Sequence, residues 1–476
     1  MKSKISLLLV LLFLTLFAML ILPSEYYTED MVLQIPFISF LAKPKLYTND
    51  YLQKYGATST QLSFYYLLVA GLVKFLPLDL FNLLRILHGV YLFILFSVLY
   101  KFSHFIGLSH FAYILFIIFL ISHLHVGGSG ITLIESEFIP RGLGLIVLLY
   151  TAVLIFEKRF KTSFVLATLS FLIHGTTSIF GFLVGAVAFI LNKYKKRMVW
   201  GVIVLIGGYG IGSLFLWLYV PRLDLDWLKI LRLRNSYAFI DTWTFRSWIN
   251  LLILLLPGAI CLWLSKTPQR LKDLIQCSYI GGLIALSIQI LFTSVKPIFP
   301  ITILQLGRLW IIPVYISLVS LAYMIANLVK KNLTRIVVII TVGLLVICIN
   351  KRSSVLAQTS HLSEWLEIQK WAQENTATNC VFLVPFFTKG FRVESQRAIV
   401  GEYKDGTLSF YSRDFASEWE KRRIDLSSWQ QNNDAYIQKL HQKYLFHYIV
   451  DKKDNLRSFP IVFESKSYRV YSLIKC

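Results

Sequence analysis

Residues 2–22 read KSKISLLLVLLFLTLFAMLIL, a start with two lysines followed by an unbroken apolar run. A helix of about 20 such residues crosses the hydrocarbon core of a bilayer. Because the residues around Pro23 offer no small-residue cleavage site, we interpret this stretch as an uncleaved first span and not as a signal peptide. The lysines place its beginning in the cytoplasm.

The apolar pattern continues through the first 350 residues. Of the 476 residues, 56% are hydrophobic and 16% are charged, which is more apolar surface than a soluble protein can hide from water. The further apolar stretches lie at approximately 61–76, 81–100, 110–124, 141–156, 163–173, 176–191, 198–219, 248–264, 272–293, 301–329 and 334–349. We therefore expect a mainly α-helical, polytopic membrane protein.

The net charge of +22 is concentrated in clusters between these stretches. Such clusters mark cytoplasmic loops, so we do not interpret them as a nucleic-acid-binding surface. The clusters are Lys2/Lys4, Lys158 to Lys161, Lys193 to Arg197, Lys266 to Lys272 and Lys330 to Arg335. If 61–76 crossed the membrane, the Lys158 cluster would lie outside; we therefore interpret 61–76 as a juxtamembrane or re-entrant helix. About eleven membrane segments remain, with outer loops at 23–60, 125–140 and 220–247.

Two consecutive segments, 163–173 and 176–191, are short for a full crossing, since eleven helical residues rise only about 16 Å. Their junction at His174 is expected near mid-membrane or at the floor of an outer cavity, where protein or water satisfies the freed backbone groups. His174 is either a hydrogen-bonded residue at a helix break or a residue that positions a substrate.

From residue 351 the composition becomes that of a soluble domain. A helix from Trp365 to Trp371 and strands at 380–385 and 444–450 predict a small α/β domain over 351–476, which follows a membrane domain over 1–350. Cys380 and Cys476 share this domain and can form a disulfide outside the cytoplasm.

Carboxylates mark two of the outer loops. Glu29 and Asp30 follow the first span, and Glu135 and Glu137 lie two residues apart in the loop 125–140. Such groups can take a proton from a hydroxyl, orient a substrate or bind a divalent cation such as Mg²⁺ or Mn²⁺. The alternative is that they are ordinary solvated acids at a helix start or in a loop.

Arginines and histidines complete the set of candidate residues. Arg308 lies about two turns inside an apolar stretch, where a charge costs roughly 2.5–3.5 kcal/mol unless it faces a partner or a cavity. It can bind a phosphate bidentately or form a structural salt bridge. Arg141 can join the same phosphate site or extend to the membrane surface. His123 and His125 can ligate a metal, but such histidines are more often interfacial.

This layout resembles the GT-C glycosyltransferases, polytopic enzymes that use polyprenyl-phosphate-linked sugars outside the cytoplasm. In that family an acidic residue follows the first span, where Glu29 and Asp30 lie here. In its oligosaccharyltransferase branch a second acidic pair follows the third span, and Glu135 and Glu137 are similar to it. The chain lacks an Asp-x-Asp in its first outer loop and a Trp-Trp-Asp-type motif in its tail, which argues against glycosylation of peptides.

The tail also resembles an uncharacterised bacterial family that joins a GT-C-like membrane region to an extracytoplasmic domain. The segments that carry this resemblance are Trp365 with Trp371 to Thr376, Val381 to Pro385, Gly390 to Arg392, Gln396-Arg397, Tyr403 to Gly406 and Glu418-Trp419. The resemblance implies a bacterial plasma membrane, a cytoplasmic N-terminus and a C-terminal domain outside.

The function expected from these features is transfer of a sugar from a polyprenyl-phosphate donor. The acceptor is a glycan, a lipid or a protein. Asp30 or Glu29 is the expected general base, and Arg308 with Arg141 would stabilise the departing lipid phosphate. Substrate or a divalent cation would be positioned by Glu135, Glu137 and His174.

The tail contributes basic residues, namely Arg392, Arg397 and Lys404. They can add positive field to the site, although we favour a solvated basic face. The alternative functions are a transporter or flippase of a lipid-linked glycan and a non-catalytic membrane scaffold. The sequence contains no nucleotide-binding glycine loop and no protease motif, which argues against a nucleotide-driven enzyme.

Overall fold

The computed structural model describes residues 2–22, 30–54, 63–122, 124–170, 172–175, 211, 213–215, 217–220, 222–357, 361–474 and 476. The chain divides into two compact units. The first unit comprises Met1–Pro23, Leu84–Asp224 and Asn235–Ser353, and the second comprises Ser24–Leu83, Leu225–Arg234 and Ser354–Cys476. The second unit thus includes two segments from earlier in the chain as well as the tail.

The described part of the chain is mainly helical. The helices are α1 (Lys2–Ile21), α2 (Met31–Ala42), α3 (Phe64–Phe75), α4 (Leu80–Ile106), α5 (His110–Ile121), α6 (Pro140–Phe156), α7 (Phe160–Ser170), α8 (Leu225–Arg234), α9 (Phe245–Trp263), α10 (Gln269–Gln289), α11 (Phe299–Leu304), α12 (Ile311–Leu328), α13 (Asn332–Ala357), α14 (His361–Asn375), α15 (Phe391–Ser395), α16 (Arg413–Leu426) and α17 (Asp434–Tyr444). A π-helical turn, Ile290–Val295, extends α10, and 3₁₀ turns cover Leu306–Trp310 and Tyr403–Phe410.

Among the described residues, four helical stretches are long and apolar enough to cross a membrane. They are Leu80–Ile106, Phe245–Trp263, Gln269–Val295 and Phe299–Leu328. Large apolar side chains remain exposed on them, including Leu252 and Trp263, which are 63% and 90% exposed. Such surfaces are those of a membrane protein.

The expectation of about eleven spans is not supported by the described helices, because several apolar helices are too short. Helix α5, for example, has 12 residues and rises about 18 Å, whereas the hydrocarbon core is about 30 Å thick. The expected segments 176–191 and 198–219 lie wholly or largely outside the described residues, as does the part of the predicted break that follows Gly175.

In the first unit, α12 packs against both α9 and α5. The contact with α9 is close because both helices present small residues there. The backbone amide of Gly258 donates to Ser317 Oγ at 2.9 Å, and a side chain at Gly258 would collide with the Tyr279 hydroxyl. These packed helices form the buried core of the unit.

The second unit contains a mixed five-stranded sheet in the order β2-β1-β3-β5-β4. Its strands are β1 (Val381–Leu383), β2 (Ala398–Ile399), β3 (Tyr448–Lys452), β4 (Ile461–Glu464) and β5 (Tyr468–Ser472). Strand β1 runs parallel to β2 and β3, and β5 pairs antiparallel with β3 and β4. Trp365, Ile368 and Ala372 of α14 belong to the same hydrophobic core as Phe382 and Val450 of the sheet.

The predicted helix around Trp365 and the predicted strand at 380–385 are confirmed. The strand predicted at 444–450 begins only at Tyr448, because helix α17 continues to Tyr444 and ends in a left-handed Leu445 with φ +51°. Cys380 and Cys476 form a disulfide with a Cα–Cα distance of 5.6 Å. This bond joins the residue before β1 to the end of the chain.

The disulfide should stabilise the second unit, because it closes a loop with a sequence separation of 96 residues. We expect Cys476→Ser to lower the free energy of unfolding by about 2–4 kcal/mol. Thermal unfolding of the full chain in nanodiscs measures the effect. Cys348→Ser removes a free cysteine and should not change the melting temperature; equal melting temperatures for all three proteins would contradict the prediction.

Candidate functional site

The second unit is organised around one buried arginine. Arg392 lies in α15 and is 1% exposed. Its guanidinium donates to both oxygens of Asp50, at 2.6 and 3.0 Å, and to both oxygens of Asp405, at 2.8 and 3.1 Å. Two bidentate pairs of this kind satisfy a planar guanidinium with specific geometry. Asp50 and Arg392 are 342 residues apart in sequence, so this contact holds the segment after α2 onto the tail.

The two carboxylates have further donors. Asp50 Oδ2 accepts from the backbone amide of Ile399 at 3.0 Å, and Asp405 Oδ2 accepts from the Tyr51 hydroxyl at 2.8 Å. Buried charges are tolerated when hydrogen bonds satisfy their remaining lone pairs. The cluster of Arg392, Asp50 and Asp405 is therefore part of the structural framework of the second unit.

A third carboxylate, Glu402, belongs to the same cluster and is 1% exposed. Its Oε2 accepts from the Gly390 amide at 2.9 Å, and its Oε1 lies 3.8 Å from the Arg392 guanidinium. Burial, together with the charge of Asp405, raises the pKa of Glu402 to about 8 even though Arg392 acts in the opposite direction. Glu402 consequently carries a proton at neutral pH.

Asp30, a predicted catalytic residue, lies immediately before α2 in this unit. Its Oδ1 accepts from the ammonium of Lys404 at 3.1 Å. The Lys404 side chain is 9% exposed and that of Asp30 is 35% exposed. The pair thus consists of a shielded cation and a carboxylate that solvent or a substrate can reach.

The 3₁₀ turn Tyr403–Phe410 positions Lys404. Arg234 of α8 donates to the carbonyls of Tyr403 and Lys404, at 2.9 and 3.3 Å, and to the Thr407 hydroxyl at 2.7 Å. Its guanidinium also lies over the Tyr403 ring, 4.9 Å from the centroid.

The solvated basic face favoured from sequence is wrong. Arg392, Arg397 and Lys404 are 1%, 4% and 7% exposed. Their sequence pattern contains no signal for this burial, because Arg392 and Lys404 pair with Asp50 and Asp30, which lie more than 340 residues earlier. The other predicted base, Glu29, lies outside the described residues.

The first unit contains a second group of predicted residues. Glu135 and Glu137 are 7% and 6% exposed, so they are not solvated loop acids. Arg141, at the start of α6, donates to the two oxygens of Glu135 at 2.5 and 2.9 Å. The predicted phosphate ligand Arg141 therefore has a carboxylate as its partner in this structure.

The loop that precedes these carboxylates is held by close packing on aromatic rings. A Cβ at Gly128 would lie 2.5 Å from Trp243, and a Cβ at Gly130, whose φ is +69°, would lie 3.2 Å from Tyr237. Only glycine fits at such close approaches without displacement. The Tyr315 hydroxyl of α12 donates to the Leu133 carbonyl in the same loop.

Arg308 contacts this loop as well. Its Nε donates to the Ser129 carbonyl at 3.3 Å, and its guanidinium lies 4.9 Å from the centroid of the Tyr237 ring. The preceding Gln305 has the left-handed conformation, with φ +52°, which is uncommon for a residue with a side chain. The structure thus brings Arg308 to the loop that leads into Glu135.

Two of the predicted histidines lie in the part of the chain that the structure describes. His174 follows α7, and its backbone amide donates to the Ser170 carbonyl. His125 forms a β-bridge with Thr132, and His123 lies outside the described residues. Within the part of the chain that the structure describes, no group of three or more His, Cys, Asp or Glu residues could hold a metal ion.

These observations define a helical membrane protein with buried charge clusters in each of its two units. Residues 363–426 match a family model described as a domain of unknown function (DUF6798). This segment includes Arg392, Glu402, Lys404 and Asp405. A comparison of the chain with curated proteins finds no match.

Replacing the buried arginine tests the structural role of the first cluster. We expect Arg392→Met to lower the free energy of unfolding by about 3–5 kcal/mol, because Asp50 and Asp405 lose their counter-ion in a desolvated place. Thermal unfolding in nanodiscs measures the stability of the wild type and of the variant. The control is Lys229→Met, which breaks an exposed pair with Asp226 and should change little; equal effects of the two substitutions would exclude this role.

The raised pKa of Glu402 predicts a pH dependence of stability. Its folded-state pKa of about 8 lies above the ordinary value of 4.5, so the folded state retains a proton that the unfolded chain releases between these values. The stability contribution is complete below pH 4.5 and is lost as pH rises to 8. We expect Glu402→Gln to flatten the decline in melting temperature between pH 5 and 8. Glu418→Gln, on the surface of α16, should keep the wild-type slope, and an unchanged slope in Glu402→Gln would exclude Glu402 as its source.

Proposed function

We propose that this protein is a GT-C-type glycosyltransferase that uses a polyprenyl-phosphate-linked sugar on the extracytoplasmic face of a bacterial plasma membrane. The proposal includes the expected orientation and about eleven membrane segments. The observation that carries it is the pair of Asp30 and Lys404. A carboxylate that follows the first apolar helix is fixed by a buried cation and is still accessible.

In the proposed reaction, the acceptor hydroxyl attacks the anomeric carbon of the donor sugar and Asp30 takes its proton. The bond between the anomeric carbon and the phosphate oxygen breaks, and polyprenyl phosphate leaves with the electron pair. Displacement in one step inverts the configuration at the anomeric carbon. A cation 3.1 Å from a carboxylate favours its ionised form, so Lys404 maintains Asp30 as the acceptor of a proton.

The other residues expected from the sequence are proposed to act on the donor. Arg308 is assigned to the departing phosphate, where a guanidinium stabilises developing negative charge. Arg141 orients Glu135 through its bidentate pair, and it reaches a phosphate only if that pair rearranges. Glu135, Glu137 and His174 are proposed to orient the substrate.

The central test uses purified protein in nanodiscs and a panel of radiolabelled polyprenyl-phosphate sugars. We expect release of free polyprenyl phosphate, and a decrease of at least about 100-fold in Asp30→Asn, as is typical for loss of a general base. Asp226→Asn changes an exposed carboxylate in the same unit and should retain the activity. Transfer of the sugar lipid across the bilayer without release of polyprenyl phosphate would identify a flippase. The absence of both transfer and release would indicate a scaffold.

A second test addresses Lys404. If its ammonium favours the ionised form of Asp30, Lys404→Met should move the acidic limb of the pH–rate profile upward by about one pH unit or more, and Lys404→Arg should restore it. A purely structural role predicts a lower rate with an unchanged profile. Equal profiles for wild type and Lys404→Met would therefore exclude the electrostatic role.

A further inference from the structure

Helix α3 in the second unit packs on α2 through one of its sides. Its residues Tyr65, Val69 and Ala70 are buried, and α3 contacts α2. The rings of Phe37 in α2 and Tyr66 in α3 meet edge to face, with their centroids 6.2 Å apart. This side of α3 is therefore occupied by protein.

The opposite side of α3 is apolar and exposed. Phe64, Leu67, Leu68, Gly71 and Phe75 recur with the period of an α-helix, so they share one face. The four large side chains are 54%, 50%, 38% and 87% exposed, and a Cβ at Gly71 would meet no described atom within 4 Å. A continuous apolar stripe of this kind marks an interaction surface.

The connection from α3 to α4 indicates the partner of this stripe. Residues 76–79 separate the two helices, and α4 is one of the four stretches long and apolar enough to cross a membrane. A connection of this length reaches at most about 17 Å. Leu76 and Leu78 within it are 40% and 38% exposed, so they continue the apolar surface towards α4. The hydrocarbon of a bilayer that α4 crosses therefore lies within reach of α3.

Length and charge restrict how α3 can meet this bilayer. Its 12 residues rise about 18 Å, which is too short to cross a hydrocarbon core of about 30 Å. Lys74 in its last turn is exposed, and Asp79 before α4 accepts from the Asn82 amide at 3.0 Å. Because charged groups are costly in hydrocarbon, this end of α3 belongs at the level of the lipid headgroups.

The other end of α3 has a similar restriction. A re-entrant helix would place its first turn in hydrocarbon, where the free backbone amides of that turn have no water to bind. A helix that lies along the membrane surface avoids this cost and still covers its apolar stripe with lipid. Such helices bury their apolar face about 5–10 Å into the boundary between headgroups and acyl chains.

We propose that the stripe from Phe64 to Phe75 lies in this boundary and anchors the second unit to the bilayer. Its occupant is the upper acyl region of membrane lipid. Of the juxtamembrane and re-entrant positions that the sequence leaves open, this is the juxtamembrane one, with a defined side facing lipid. The contact goes beyond the proposed reaction and does not depend on it.

Depth-dependent fluorescence quenching in nanodiscs tests this contact. The full chain receives one of the substitutions Phe64→Cys, Gly71→Cys and Phe75→Cys, and the new cysteine is labelled with an environment-sensitive fluorophore. The free cysteines Cys261, Cys277 and Cys348 are first replaced. The lipids carry a spin label either near the top or near the end of the acyl chain.

We expect each label on α3 to lose more fluorescence with the shallow spin label than with the deep one. Labels at Phe64→Cys and Phe75→Cys should also report equal depths, although these positions are about 16 Å apart along the helix axis. Gly71→Cys adds its side chain where no described atom lies within 4 Å, so the fold should be retained. Thermal unfolding of each labelled variant, compared with the wild type, checks this.

A position elsewhere in the second unit provides the control. Lys466→Cys, at an exposed site after β4, should respond to an aqueous quencher, and each label on α3 must exceed it in quenching by lipid. Stronger quenching by the deep spin label, or unequal depths at the two ends of α3, would identify a re-entrant helix. Quenching by neither lipid would show that protein covers the stripe. Either result would overturn the inference.

Discussion

The structure of the second unit depends on the guanidinium of Arg392, which is buried away from water. Taking Arg392 and its carboxylates out of solvent is costly, and only the complete set of hydrogen bonds compensates for it. This requirement couples distant parts of the chain. The segment with Asp50 and the turn with Asp405 must both be in place before Arg392 is satisfied. Because Lys404 precedes Asp405, the same requirement determines where the partner of Asp30 lies.

The charge balance of this cluster explains its protonation. Asp50 and Asp405 both pair with one guanidinium, and the charge of a third carboxylate would add repulsion in a buried place. Glu402 avoids that cost by retaining its proton. The hydroxyl of Tyr51 behaves in the same way, since burial and the charge of Asp405 raise its pKa, so that it remains a donor to Asp405.

Sequence patterns predict some of these features for clear physical reasons. Apolar runs predict the helices, and a short buried run predicts β1, because both depend on local periodicity. Asp30 and Glu135 could be selected as candidate residues because carboxylates in outer loops can take a proton or orient a substrate. The pairing of Arg392 with Asp50 could not be predicted, since these residues are 342 positions apart in the chain.

The different exposures of Asp30 and Lys404 have a chemical consequence. A cation that is shielded from water acts on its neighbour through a medium of lower effective dielectric constant, so its influence exceeds that of an exposed lysine at the same distance. The carboxylate, in contrast, must be reachable if it is to accept a proton. An arrangement with both groups exposed would weaken the electrostatic effect, and one with both groups buried would prevent access. The pair of Asp30 and Lys404 meets both conditions. Lys404 is held in place by Arg234, which donates to its carbonyl, and by the neighbouring Asp405, which accepts from Arg392. The tail thus supplies a shielded cation to a carboxylate near the N-terminus.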